Sequence, residues 1–172
     1  NPIWQHLWNL CWDAHLKRTN VIAACITDSD GRILSSGQNT IYLKDYKDTY
    51  LDNTCIAHAE MNAIYNHSKT ISKFPEKNYI LYSTMEPCAM CFGAMVMSGI
   101  RNIVYAARDY YGGAMILHNS TDFIKDRNIR FEGPIFEIEA VFRTLHGISF
   151  LSKGQPMKYF IEKHTKYTPN AA

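Results

Sequence analysis

Two short segments, His58-Ala59-Glu60 and Pro87-Cys88-Ala89-Met90-Cys91, each stand at the expected start of a helix. A fold that uses both must bring two helix starts to one place. Pro87 suits the first turn of a helix, and two cysteines three apart on a helical turn point to the same side. Such a pair can bite one metal ion, and a helix start favours the thiolate form. A histidine from the second helix start makes three ligands, His58, Cys88 and Cys91. Zinc prefers four, so one position is left for water, which separates a catalytic site from a structural one. Two thiolates and a neutral imidazole cancel the zinc charge, yet bound water still becomes acidic near neutral pH. Glu60 lies too close to His58 to chelate comfortably beside it, but it is well placed to take and return a proton.

Other uses of these residues compete. Cys88 and Cys91 could form half of a structural zinc ribbon, but the chain has no second CxxC or CxxH. A redox CxxC would leave His58 and Glu60 unexplained. Cys11, Cys25 and Cys55 sit in apolar or helical contexts and read as core fillers. His6, His15, His67, His118, His146 and His164 lack ligand-like spacing and read as surface or core polar groups.

The rest of the sequence sets limits on the architecture. With 172 residues, 47% hydrophobic and 20% charged, the chain reads as one soluble globular domain that needs no disulfide help. Five cysteines in irregular spacing are a poor disulfide framework and fit a reducing, cytoplasmic setting. No signal peptide or membrane-length apolar run is visible. Eighteen Lys+Arg against 16 Asp+Glu give a formal net charge of +2. That balance permits a nucleic-acid partner without predicting one.

Apolar spacing predicts a helix from Ile3 to Lys17, with Trp4, Trp8 and Trp12 as a second buried stripe. Val21–Thr27 and Arg32–Ser36 flank Asp28-Ser29-Asp30-Gly31 and read as a hairpin. Residues 42–54 read as a loop. Next come a helix over Cys55–His67, the breaker Phe74-Pro75 and a strand over Asn78–Ser83. A helix from Pro87 to Ser98 stops at Gly99, followed by a strand over Arg101–Ala107 and an ordered loop at 108–120. A weak strand near Asn128–Phe131 and a helix over Pro134–His146 complete a body spanning 1–150, with 151–172 as a docking segment and tail. Alternating strands and helices after the hairpin predict a layered α/β domain with a mixed sheet.

At His58-Ala59-Glu60-Met61-Asn62-Ala63-Ile64 and Thr84-Met85-Glu86-Pro87-Cys88-Ala89-Met90-Cys91 the chain resembles the zinc-dependent cytidine deaminase superfamily. The likeness extends to Asn39 and to Arg101–Asp109, and covers about residues 3 to 147. Glu-Pro-Cys-x-Met-Cys and the following Gly-Ala-Met look most like the tRNA adenosine, guanine and yeast-type cytosine deaminase branch. The resemblance implies a three-layer α/β/α sandwich with a five-stranded mixed sheet and Zn2+ held by His58, Cys88 and Cys91. It implies hydrolytic deamination of a nucleobase or nucleoside, with zinc hydroxide attacking the amine-bearing carbon and Glu60 moving the protons. The Ala59 and Cys88 N–H groups would face the reacting centre.

Asn39 could contact a base edge or be an ordinary turn residue. Asp109 could contact substrate from the start of a specificity loop. Glu86 is expected to satisfy backbone donors at the helix start. The resemblance also implies a homodimer whose partner closes the pocket. A tRNA adenosine deaminase is the alternative. The family's Pro-Val-Gly segment is replaced here by Thr19–Ala24, and Asp45, Asp48 and Asp52 in the 42–54 loop would repel phosphate. A free base or nucleoside is therefore favoured. An inactive zinc-binding module is the remaining possibility, opposed by the presence of Glu60 and all three ligands.

Overall fold

The computed structural model describes residues 1–47, 50–70, 78–152 and 162. Helix α1, Pro2–Leu16, begins where Asn1 accepts a hydrogen bond from the Ile3 N–H at 2.9 Å, with Pro2 in the first turn. It buries Ile3, Leu7, Cys11 and Ala14. Strands β1, Ala23–Thr27, and β2, Ile33–Gln38, pair antiparallel as the expected hairpin. Helix α2 spans Ala59–Thr70, β3 Ile80–Met85, α3 Ala89–Met97 and β4 Asn102–Ala107. A 3-10 turn at Met115–Asn119 and the short α4, Asp122–Lys125, lead to β5, Arg130–Glu132, and α5, Phe136–Ser152.

The sheet runs β2-β1-β3-β4-β5, with β3, β4 and β5 mutually parallel and β1 antiparallel to both its neighbours. Strand β1 is buried at all five residues, as a strand covered on both faces must be. One face packs on α2 and α3 through Ala59, Ala63, Leu81, Phe92, Met95, Ile103 and Tyr105. The other packs on α1 and α5 through Leu7, Cys11, Cys25, Ala106, Phe142 and Leu145. The α/β/α sandwich with a five-stranded mixed sheet is therefore present.

Several local expectations change. The second helix starts at Ala59, not Cys55, because the preceding residues close turns from Ala57 N–H to Thr54 O and from His58 N–H to Ile56 O. Cys55 is exposed and so is no core filler, whereas Cys11 and Cys25 are buried. Trp4 meets Tyr82 edge-on at 5.7 Å and Trp8 packs on Phe142, but Trp12 is 49% exposed and stacks on His15. The last helix runs on through Gly147 to Ser152. Phe74-Pro75, Asp48 and almost all of the 151–172 segment lie outside the described residues.

Strand β2 lies hard against the first turn of α2. A β-carbon built on Gly37 would fall 2.3 Å from the Ala59 carbonyl oxygen and 2.5 Å from the Ala63 nitrogen. Both neighbours are backbone, so neither can step aside cheaply. Gly37→Ala is expected to destabilise the protein by about 1–3 kcal/mol by pushing the α2 first turn off the sheet. A urea midpoint equal to that of the wild type would show that the two elements are not so tightly fitted.

Candidate active site

The open ends of the parallel strands are where α/β folds place their sites, and here two helix starts converge there. Helix α3 follows β3, so Cys88 caps α3 and Cys91 lies in its first turn. Helix α2 follows β2 and the rim loop, and His58 immediately precedes it. Thus crossover topology joins what the sequence separates. The His58 Nδ1 atom lies 3.7 Å from Cys88 Sγ and 3.6 Å from Cys91 Sγ. The three ligand atoms fall within 4.8 Å of one another. Tetrahedral zinc with Zn–S near 2.3 Å and Zn–N near 2.0–2.1 Å sets sulfur and nitrogen ligands roughly 3.6 Å apart. The donor set and its spacing therefore fit zinc.

Glu60 stands beside this triad. It is 3% exposed, its Oε1 accepts a bond from Ser83 Oγ at 2.8 Å, and its Oε2 lies 3.3 Å from Cys91 Sγ. Burial pushes the carboxyl above its ordinary range, opposed by its own N–H, His58 and Ser83. The two thiols are hydrogen-bonded to each other. The Cys91 thiol bond pulls Cys88 down to about 4 despite burial, helped by His58, and Cys91 is pushed up in turn. A lowered Cys88 favours the thiolate, the form a metal requires.

Asn39 is buried at the end of β2, where its Oδ1 accepts from Thr19 Oγ1 at 3.4 Å and the Ile41 N–H at 3.3 Å. Among the described residues its Nδ2 takes no protein acceptor. The Ala59 and Cys88 N–H groups likewise take no backbone acceptor among the described residues. Asp109 ties its own loop, accepting from the Tyr111 and Gly112 N–H groups at 2.9 Å each. That loop meets the metal site through the Cys88–Gly113 bridge and the Ala114 N–H bond to Pro87 O.

Glu86 does satisfy a backbone donor, but not at the α3 start. Its Oε1 accepts from the Met115 N–H at 3.2 Å, across the 108–115 loop, and Arg108 stands 3.8 Å from its Oε2. Sequence reasoning missed Asn62, which is fully buried. Its position one turn after His58 was the only local signal.

A three-layer sheet domain thus brings an imidazole and two thiols together at paired helix starts as a candidate zinc site, with a buried carboxyl beside them. Residues 4–107 match the model of the cytidine and deoxycytidylate deaminase zinc-binding region. The chain belongs to that family, and its cofactor is zinc. Membership supports a hydrolase acting on C–N bonds. The chain is 36% identical over 94 residues to the tRNA-specific adenosine deaminase of Haemophilus influenzae, covering 55% of this chain and 50% of that protein. It is 32% identical over 83 residues to the cytosine deaminase of Candida albicans, covering 48% and 49%. It spans about half the length of these relatives. The guanine deaminase structure from Bacillus subtilis superposes with a TM-score of 0.53 at 28% identity, covering 62% of this chain and 63% of that one.

Proposed function

We propose that the protein is a deaminase of a free nucleobase or nucleoside, replacing a ring amino group with oxo and releasing ammonia. The observation that carries this reading is Glu60, a buried carboxyl seated beside three zinc ligands without belonging to them. His58, Cys88 and Cys91 would hold the metal, which when bound acidifies water. Glu60 Oε2 would take a proton from the attacking water and pass it to the ring nitrogen. It would then take the remaining hydroxyl proton of the added oxygen and deliver it to the departing amine, leaving a carbonyl and ammonia. The Ser83 hydroxyl holds Oε1, which fixes the orientation of Oε2. The Ala59 and Cys88 N–H groups are donors available to the reacting centre. Asn39 would present Nδ2 to an acceptor on the ring or sugar, and Asp109 would shape the opposite rim.

The choice of a small substrate rests on charge. Lys17 against Tyr46 of the 42–54 loop, Arg108, and Arg143 over the Tyr110 ring each face a carboxylate: Asp13, Glu86 and Glu139. A phosphate backbone would have to displace these partners. The second reading, adenosine in a tRNA anticodon loop, is favoured by the identity to the Haemophilus relative. A homodimer belongs to the same proposal, supported by Tyr111 and Ile116, 55% and 83% exposed near the loop that meets Cys88. A cytoplasmic setting is supported by five free cysteines. Among the described residues, no helix is long and apolar enough to cross a membrane.

The test is ammonia release from free bases, nucleosides, nucleotides and a tRNA anticodon hairpin. Turnover of one small heterocycle is the expected result. Turnover of the hairpin alone would transfer the function to the second reading. Zinc bound with silence across the panel would sink both and revive the inactive module.

A further inference from the structure

The Asn62 side chain joins three separate stretches of chain. Its Oδ1 accepts from the Leu51 N–H at 2.7 Å. Its Nδ2 donates to Gln38 O at 3.0 Å, Thr40 Oγ1 at 2.8 Å and Leu51 O at 3.2 Å. Turning the amide over would set donor against the Leu51 N–H and acceptor against two carbonyls, so the bonds themselves fix its orientation. The residue is 0% exposed, where every lost bond strands a buried partner. Two of its partners, Gln38 O and Thr40 Oγ1, lie on either side of Asn39, and the other two belong to the rim loop.

Asn62 is also rigidly placed relative to the metal ligands. Its own N–H donates to His58 O at 3.0 Å, one helical turn away. The Thr40 N–H donates to Ala57 O at 2.9 Å, and Thr40 Oγ1 bonds Leu51 O. The residues flanking Asn39 and the rim at Leu51 are thus both tied by the Asn62 side chain to the helix that bears Glu60 and follows His58. It acts alongside the backbone bonds from Thr40 N–H to Ala57 O and from Asn39 N–H to Ile22 O.

We propose that Asn62 is a positioning residue that holds Asn39 and the Leu51 rim against the metal-bearing helix and so sets substrate affinity. This rests on the deaminase reading, in which Asn39 touches substrate and Asn62 does not. An isosteric carboxylate at this position would lose all three Nδ2 donations and place an oxygen against three acceptors. A misplaced wall weakens binding of substrate and transition state alike, which raises KM and spares kcat.

The experiment uses zinc-loaded Asn62→Asp, with Thr40→Val as a milder second variant should the first fail to fold. It measures zinc content, kcat and KM on the substrate the panel identifies, and amide exchange at residues 39–43 and 50–53. The expected result for Asn62→Asp is retained zinc, KM raised about tenfold or more, kcat within about threefold, and faster exchange confined to those residues. Thr40→Val should move the same quantities by less. Unchanged KM, or a fall in kcat alone, would overturn the proposal, because a merely structural residue would not split KM from kcat. If the wild type turned over nothing, the deaminase reading would fail separately. Exchange would then decide the positioning role, with unchanged protection at 39–43 and 50–53 overturning it.

Discussion

Glu60→Ala is expected to retain zinc and fold while losing turnover by about a thousandfold or more, within the range attributed to a positioned general acid–base. Glu60 is not among the three atoms that can hold the metal, so its removal leaves His58, Cys88 and Cys91 in place. What disappears is the buried carboxyl beside the ligands, with Oε1 anchored by Ser83 and Oε2 at 3.3 Å from Cys91 Sγ, where it would exchange a proton. Because two proton deliveries pass through the same oxygen, water cannot easily take over both in a buried site. Ammonia release measured beside zinc content separates the outcomes. A zinc-loaded variant with wild-type turnover would remove Glu60 from the mechanism. Loss of zinc together with activity would instead make Glu60 part of the metal's support.

The zinc triad was legible because its information is local. Cys88 and Cys91 share one helical turn, and His58-Ala59-Glu60 opens another, so each half is written in consecutive residues. Asn62 was not legible, because its partners lie at 38, 40 and 51 and only the folded chain brings them together. Glu86 shows the same limit. Adjacency to Pro87 suggested a helix-start acceptor, whereas its carboxyl reaches forward to Met115.

The helix boundaries were misplaced for related reasons. Cys55 and Ile56 are apolar residues that fit a helical pattern, yet both are exposed on turns before α2. The last helix is expected to end at His146, but it continues through Gly147, with Leu145 and Ser149 buried on either side. Tertiary burial there outweighs the roughly 1 kcal/mol a helical glycine costs. The layered α/β class with a mixed sheet, by contrast, followed from alternating strands and helices, since β3, α3 and β4 form one crossover between parallel strands. The three-layer order came with the family resemblance.

Cys88→Ala is expected to give the opposite pattern from Glu60→Ala, with zinc lost and stability lowered. Cys88 caps α3, and its sulfur stands 3.7 Å from His58 Nδ1, so it ties the start of α3 to the start of α2. Metal bound between these helix starts stabilises only the folded chain. Free zinc at about a thousand times its dissociation constant adds roughly 4 kcal/mol. Chelation should therefore lower the wild-type melting temperature by many degrees and leave Cys88→Ala almost unmoved, since that variant has no bound metal to surrender. Cys55→Ala, altering an exposed thiol outside the triad, should retain the full chelation response. Stoichiometric zinc in Cys88→Ala would contradict the ligand set. A Cys55→Ala protein without zinc would mean that the exposed thiol, not the geometry of the paired helix starts, governs metal binding.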